Sequence, residues 1–246
     1  MKILVCISKA PDTTTKIAFK DNNSKFSEDG VQYIVNPYDE WYALVRALEL
    51  KETIGGSVTI ITVGLVEAEA VIRKALAIGA DESVRIDMEP TDSYQVAEQI
   101  SAYAKAQNYD IIFAGKETIN YNGSATGAMI AEFLDLPFVS LASKLDMAGN
   151  TASIEVDIDG GVEVLEVNTP FVVSAQKGMA EARIPNMRGI MAARAKPITV
   201  VAPIASDSLT EVKSYTLAQG RTDCKFIDPN NMDELVDLLH NTAKVI

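Results

Sequence analysis

Asp110-Ile111-Ile112-Phe113-Ala114 runs directly into Gly115-Lys116-Glu117-Thr118-Ile119-Asn120-Tyr121-Asn122-Gly123-Ser124-Ala125-Thr126-Gly127, and the join between the two stretches decides the fold. The first is too continuously apolar for a strand with one wet face, so it reads as a strand buried on both sides of a parallel sheet. The second is polar and glycine-bearing and leads into a helical pattern over residues 124–134, giving strand, loop and helix in succession. Three more strands of the same kind are expected at residues 2–7, 58–63 and 83–86. Between them lie three helical patterns. The first opens on Asn36-Pro37, an N-cap followed by proline at the first helical position, with Trp41, Leu44, Val45 and Leu48 on one face. The second covers residues 67–78, with Val71, Ile72, Ala75 and Leu76 inward and Gly79 placed to end it. The third covers residues 93–107 along the stripe Val96, Ala97, Ile100 and Ala104. Strands alternating with helices predict a parallel sheet with crossover helices.

Beyond residue 150 the pattern changes. Ile154, Val156 and Ile158, then Asp159-Gly160-Gly161, then Val162, Val164 and Val167 predict an antiparallel hairpin, and Phe171-Val172-Val173 continues the sheet. Residues 176–197 lose periodicity while gaining Arg183, Arg188, Arg194 and Lys196, so an irregular exposed segment is expected there. A polar tail over residues 206–231 leads to an amphipathic stretch at 232–245. So long a structureless connection does not belong inside a compact domain, and the tail is expected to lie on a partner.

The bulk numbers remove several function classes. With 34 acidic against 22 basic residues and a net charge of −12, the surface repels phosphate backbones, so nucleic acid is not an expected partner. No apolar run approaches the ~20 residues that cross a bilayer. The N-terminus reads as a first strand and not as a signal peptide, so no membrane insertion and a cytoplasmic location are expected. Cys6 and Cys224 show neither metal spacing nor a Cys-x-x-Cys pattern. His240 is the only histidine, so no Ser-His, Cys-His or multi-histidine metal constellation can be assembled.

In an open parallel sheet, ligands sit outside the carboxyl ends of the strands. The loops there are Ser8-Lys9-Ala10-Pro11-Asp12, Val63-Gly64 and the Gly115 to Thr126 stretch. Small residues at Gly123, Ser124, Ala125 and Thr126, just ahead of a helix, would expose backbone N–H groups to a nucleotide phosphate. The same residues also read as a flexible loop with a serine cap, because the spacing is neither Walker nor G-x-G-x-x-G. Asn36 reads as a helix cap, Lys9 as a solvated charge or a phosphate neighbour, and Tyr38 and Trp41 as core. These residues taken alone reach an α/β nucleotide-binding domain without catalytic residues of its own.

Six dispersed segments over about residues 1–200 resemble the electron-transfer flavoprotein beta-subunit family: KILVCISKAPD (2–12), VNPYDEWYALVRALELK (35–51), AVIRKALAIGAD (70–81), FAGKETINYNGSATG (113–127), EVDIDGGVEVLEVNTP (155–170) and EARIPNMRGIM (181–191). Their order and spacing carry the resemblance. It implies a Rossmann-type three-layer α/β sandwich like the adenine-nucleotide alpha-hydrolases, with an antiparallel hairpin and an extended C-terminal arm. Residues 1–200 would form the nucleotide-binding domain, and residues 201–246 an arm and helix packing on an alpha subunit that carries FAD. The chain would be an electron carrier in a heterodimer and not an enzyme, taking electrons from acyl-CoA dehydrogenase-type donors and delivering them to a quinone oxidoreductase. AMP would sit in this subunit, with Ser8, Lys9 and Ala10 by the adenine, Asn36, Val63 and Gly64 filling the nucleoside pocket, and Gly123, Ser124, Ala125 and Thr126 at the phosphate. Tyr38 would approach the flavin. Residues 182–191 would form a recognition loop for partner dehydrogenases, with Met187 as apolar anchor and Arg183 and Arg188 beside it.

The chain departs from the family where acidic residues are usual and Asn120, Tyr121 and Asn122 stand. The basic run after the recognition loop is thin, with Ala192, Ala193 and Ala195 around Arg194 and Lys196. Two alternatives remain: a bifurcating member with FAD in place of AMP, which the Thr126-Gly127 pair resembles less, and a non-redox adenine-nucleotide-binding signalling domain, which would need neither hairpin nor tail.

Overall fold

A computed structural model describes residues 1–220 and 224–246. Strand β1 (Lys2–Cys6) lies inside the sheet, with Ile3, Leu4 and Val5 fully buried. Its side chains alternate between two cores, Ile3 and Val5 on one face and Leu4 and Cys6 on the other. The chain then makes an excursion through four short strands, β2 (Lys9–Pro11), β3 (Phe19–Lys20), β4 (Lys25–Phe26) and β5 (Tyr33–Val35). β2 pairs antiparallel with β5, and β3 with β4. The β3–β4 turn holds Asp21, Asn22 and Asn23 at φ 53, 57 and 64°, a left-handed run that short polar side chains tolerate.

The α/β alternation follows as expected: α1 (Asp39–Ile54), β6 (Ser57–Val63), α2 (Glu69–Ile78), β7 (Glu82–Ile86), α3 (Ser93–Lys105), β8 (Ile111–Gly115) and α4 (Thr126–Leu134). Gly79, at φ 142°, follows α2 as its sequence position implied. Next come β9 (Phe138–Ala148), β10 (Thr151–Ile158), β11 (Gly161–Asn168) and β12 (Phe171–Ala175), then α5 (Met187–Ala195), β13 (Thr199–Val201) and a terminal α6 (Met232–Asp237).

One nine-stranded sheet has the order β11-β10-β9-β12-β8-β1-β6-β7-β13. Every pairing from β9 across to β13 is parallel, whereas β10 is antiparallel to both its neighbours. Helices α1 and α2, with Ala193 of α5, cover one face, and α3 and α4 cover the other. The fold is thus an α/β three-layer arrangement. From β1 the chain builds outward to β6 and β7, then returns to place β8 on the opposite side of β1. The crevice between the carboxyl ends of β1 and β8 is the topological switch point where such sheets bind ligands.

Three expectations are corrected, and one strand was not anticipated. The hairpin is the outer part of a three-stranded meander, because residues 138–148 form β9. Residues 187–195 of the segment expected to be irregular form α5. β13, which ends at residue 201, is an edge strand of the main sheet beside β7. The polar tail is not wholly detached: residues 204–215 bond to the chain's own domain. Residues 221–223 of that tail lie outside the described residues.

Candidate functional site

The crevice is built where α1 meets the carboxyl end of β8. A Cβ added at Gly115 would lie 2.7 Å from Glu40 Cγ and 3.0 Å from the Glu40 nitrogen, so glycine lets the helix N-terminus dock directly on the strand. Glu40 is buried there, and its carboxylate accepts from the Ser8 backbone N–H at 2.8 Å and the Ser8 hydroxyl at 2.7 Å. Desolvation raises the Glu40 pKa to about 7 despite those bonds. Asp39 is raised as well, again mainly by burial, and burial with Glu40 nearby pushes up the Cys6 thiol. Ser8 therefore supports α1 from the end of β1.

Asn36 is not a helix cap. α1 begins at Asp39 with Tyr38 in the cap position, and the buried Asn36 side chain braces the loop after β8. Its amide donates to the Glu117 carbonyl at 2.8 Å, and its oxygen accepts from the Ile119 N–H at 3.1 Å. Helix-start chemistry and loop bracing use the same residue type, so the sequence did not separate them.

The braced loop ends in the predicted cradle. Ser124 is left-handed at φ 49°, and Ala125 follows in the right-handed region at φ −108°, ψ −28°, just before α4 starts at Thr126. Opposite-handed successive residues curl their N–H groups toward one point, and α4 adds its positive end. Among the described residues no acceptor bonds the N–H of Ser124, Ala125 or Thr126. The Ser124 hydroxyl donates to the Glu117 carboxylate at 3.2 Å, and Lys116 pairs with the same carboxylate at 2.6 Å. The geometry fits a phosphate held by backbone donors. Gly123 lies beside α3, where its Cβ would stand 3.7 Å from Ser93 Oγ.

The other expected contacts are gathered at the same edge, but several are already engaged. Lys9 bonds Glu28 at 3.0 Å and lies over the Tyr33 ring at 4.3 Å, so its charge is spent within the excursion. Ala10 is fully buried in β2, paired with Ile34. Val63 ends β6, and the Gly64 N–H donates to Ile86 O at 3.0 Å while its carbonyl accepts from Arg85 at 3.0 Å. Arg85, which the sequence reading passed over inside an apolar strand, also pairs with Glu69 and Asp87. Tyr38 is half exposed and, with Asn36, Asp39, Lys116, Glu117 and Lys177, lines a cleft of about 430 Å³. Lys177 was also missed. It follows the carboxyl end of β12, a position the strand-end rule would have marked had β12 been placed beside β8.

The expected docking segment stands apart. Asn186 caps α5 by accepting from Gly189 N–H at 2.8 Å, and a Cβ on Gly189 would fall 2.2 Å from Ala77 O, so α5 lies tightly on the end of α2. That packing turns Ile184 (88% exposed), Met187 (73%) and Met191 (60%) outward. Arg183 forms a two-pronged pair with Glu52 at 2.7 and 3.0 Å, while Arg188 is exposed and makes no ion pair among the described residues.

Fold and crevice together define a Rossmann-like α/β protein with an open cleft at its switch point. Residues 24–206 match the family described as electron transfer flavoprotein domain. The chain is 34% identical to electron transfer flavoprotein subunit beta of Bacillus subtilis, with all of both chains covered, and 34% identical to that of Syntrophomonas wolfei, covering all of this chain and 98% of the relative. It is 32% identical to the human protein of that name over 82% of each. The chain belongs to the electron transfer flavoprotein family, and its class of activity is electron transfer. Among the described residues no helix is long and apolar enough to cross a membrane.

Proposed function

We propose that this chain is the beta subunit of a heterodimeric electron-transfer flavoprotein, with AMP as a structural nucleotide in the β1–β8 crevice. The observation that carries the reading is the set of N–H donors at Ser124, Ala125 and Thr126 at the switch point of a chain similar along its whole length to named beta subunits. FAD on the alpha subunit would supply the redox chemistry. This chain's part is to bind, orient and dock: Asn36 holds the nucleotide loop, Tyr38 faces the cleft where a flavin edge could approach, and Ile184, Met187 and Met191 offer an apolar contact for flavoprotein dehydrogenases of the acyl-CoA type. A membrane quinone oxidoreductase would take the electrons, and the complex would work in the cytoplasm. Residues 1–200 form the nucleotide-binding part in this reading, and the arm from 201 ends on the alpha subunit. Its support is the exposed apolar end, where Phe226 is 91% exposed and Met232, Val236, Val245 and Ile246 are exposed as well.

The test is to co-purify the chain with its alpha partner, denature the complex and identify the nucleotides released. One AMP and one FAD per heterodimer are expected, and Ser124→Glu, which puts a negative charge where the phosphate would lie, should release the AMP and keep the FAD. Two FAD per heterodimer would establish the bifurcating alternative. Unchanged AMP content in Ser124→Glu would move the phosphate site elsewhere.

A further inference from the structure

The C-terminal arm leaves the sheet at the carboxyl end of β13 and turns back along α3. The Ile204 N–H donates to Gln99 Oε1 at 2.9 Å while Gln99 Nε2 donates to the Ile204 carbonyl at 2.8 Å, and Gln95 Nε2 reaches the Ser206 carbonyl at 3.2 Å. At the N-terminus of α3 the arm closes around one carboxylate. Asp92 Oδ1 caps the helix by accepting from the Gln95 N–H at 2.9 Å. Its other oxygen accepts from the Leu209 N–H at 2.7 Å, the Thr210 N–H at 3.0 Å and the Ser208 hydroxyl at 3.2 Å. Those bonds to the ionised form hold Asp92 below the usual carboxylate range although burial opposes them.

From Thr210 the arm crosses to the excursion after β1. The Tyr215 N–H donates to the Asn23 carbonyl at 2.7 Å, and its ring stacks on Phe19 with centroids 5.0 Å apart at 11°. α3 starts after β7, beside Gly123 of the cradle loop, and the β3–β4 hairpin rises from the end of β1. Tyr121 of the cradle loop lies within electrostatic reach of Tyr215 of the arm, Glu89 after β7 and Glu28 of the excursion. Desolvation, then Tyr215, Glu89 and Glu28, push the Tyr121 pKa up although the residue is largely exposed.

We propose that residues 204–215 are a strap over the nucleotide crevice, with Asp92 as its clasp and the Phe19–Tyr215 stack as its far anchor, and that opening the strap limits nucleotide exchange. This gate rests on the nucleotide-binding reading above. Almost all of the strap is exposed, and it is held by hydrogen bonds and one ring stack, not by buried apolar surface. Such a segment opens locally without unfolding the sheet.

Asp92→Asn separates clasp from cap. Asparagine still caps α3 through Oδ1, but its amide NH₂ then faces the Leu209 and Thr210 donors. In the heterodimer carrying isotopically labelled AMP, this variant should exchange the label against added unlabelled AMP about tenfold faster, the scale expected on losing hydrogen bonds to a charged group. Tyr215→Ala, at the other end, should do the same. Both should raise deuterium uptake over residues 19–26 and 204–215 while β1 and β8 stay protected. Bound AMP whose exchange rate is unchanged in both variants, with the strap shown to be loosened by deuterium uptake, overturns the gate alone. A wild-type heterodimer holding no nucleotide overturns the functional reading beneath it.

Discussion

Replacing Glu40 by glutamine should stabilise the protein at neutral and alkaline pH and leave it nearly unchanged in acid. Glu40 is buried at the start of α1, and its pKa rises from 4.5 to about 7 on folding. Between those values the folded state holds a proton that the unfolded state has lost. Stability from this group is therefore present in acid, falls as pH rises through the window, and levels off above it. The gap, at about 1.4 kcal/mol per pH unit, corresponds to about 3 kcal/mol. Glutamine keeps the shape and can still accept from the Ser8 N–H while its NH₂ donates to the Ser8 hydroxyl. Asp39 next to it titrates in the same direction and is present in both proteins, and its repulsion is part of what raises Glu40. Thermal melts of wild type and Glu40→Gln, run between about pH 5 and about pH 8.5, should diverge as pH rises to about 7 and keep a constant gap above it. The variant should gain roughly 6–12 °C at the alkaline end, given the size of the chain. Parallel curves across the range would mean that Glu40 ionises as an ordinary surface carboxylate and that the reasoning from burial fails.

Gly115→Ala drives a Cβ into Glu40 and should cost about 1–3 kcal/mol by overpacking, read as a lower urea midpoint with an unchanged slope. Met187→Ala removes the first exposed apolar side chain of α5. Electron transfer from an acyl-CoA dehydrogenase-type donor at limiting partner should slow about fivefold or more, the effect of losing about 1 kcal/mol at an anchor. Flavin and nucleotide content should stay constant, and equal donor kinetics would remove α5 from the docking surface.

The parallel half of the fold was legible because buried strands and amphipathic helices leave strong periodic signals: β1, β6, β7, β8 and the helices between them fall where the pattern put them, except that α1 starts at Asp39 and not at Pro37. The rest failed for specific reasons. β2 to β5 are two or three residues long, too short for any period to register. β9 mixes Ser140, Ser143, Lys144 and Asp146 with its apolar residues because one of its faces is wet, and a β-bulge further breaks the alternation. α5 was lost because Met187, Arg188, Met191 and Arg194 all face outward, leaving Ala193 as its one buried residue and no stripe to read. At the site, position at a strand end was readable while engagement was not. Asn36, Ser8 and Lys9 were placed at the right edge, but nothing in the sequence revealed that Glu117, Glu40 and Glu28 would be their partners.

That pattern of engagement bears on how so acidic a chain could hold an anion. Most of the cations at the switch-point edge are matched by a carboxylate of the protein, Lys9 by Glu28, Lys116 by Glu117 and Arg85 by Asp87 and Glu69, while Lys177 in the cleft lining makes no ion pair among the described residues. A phosphate entering the crevice would find its attraction in the N–H groups of Ser124, Ala125 and Thr126 and the start of α4, which are fixed dipoles and carry no counter-charge to displace. Dipoles fall off within a turn of helix, so they select for a group seated at that spot and do little to draw anions from a distance. Discrimination between nucleotides would then depend on the room left between the cradle and the strap, where Tyr121 and Tyr215 stand, more than on net charge. The residues by which this chain departs from the family's acidic loop, Asn120, Tyr121 and Asn122, belong to the same loop as the cradle and lead up to Ser124.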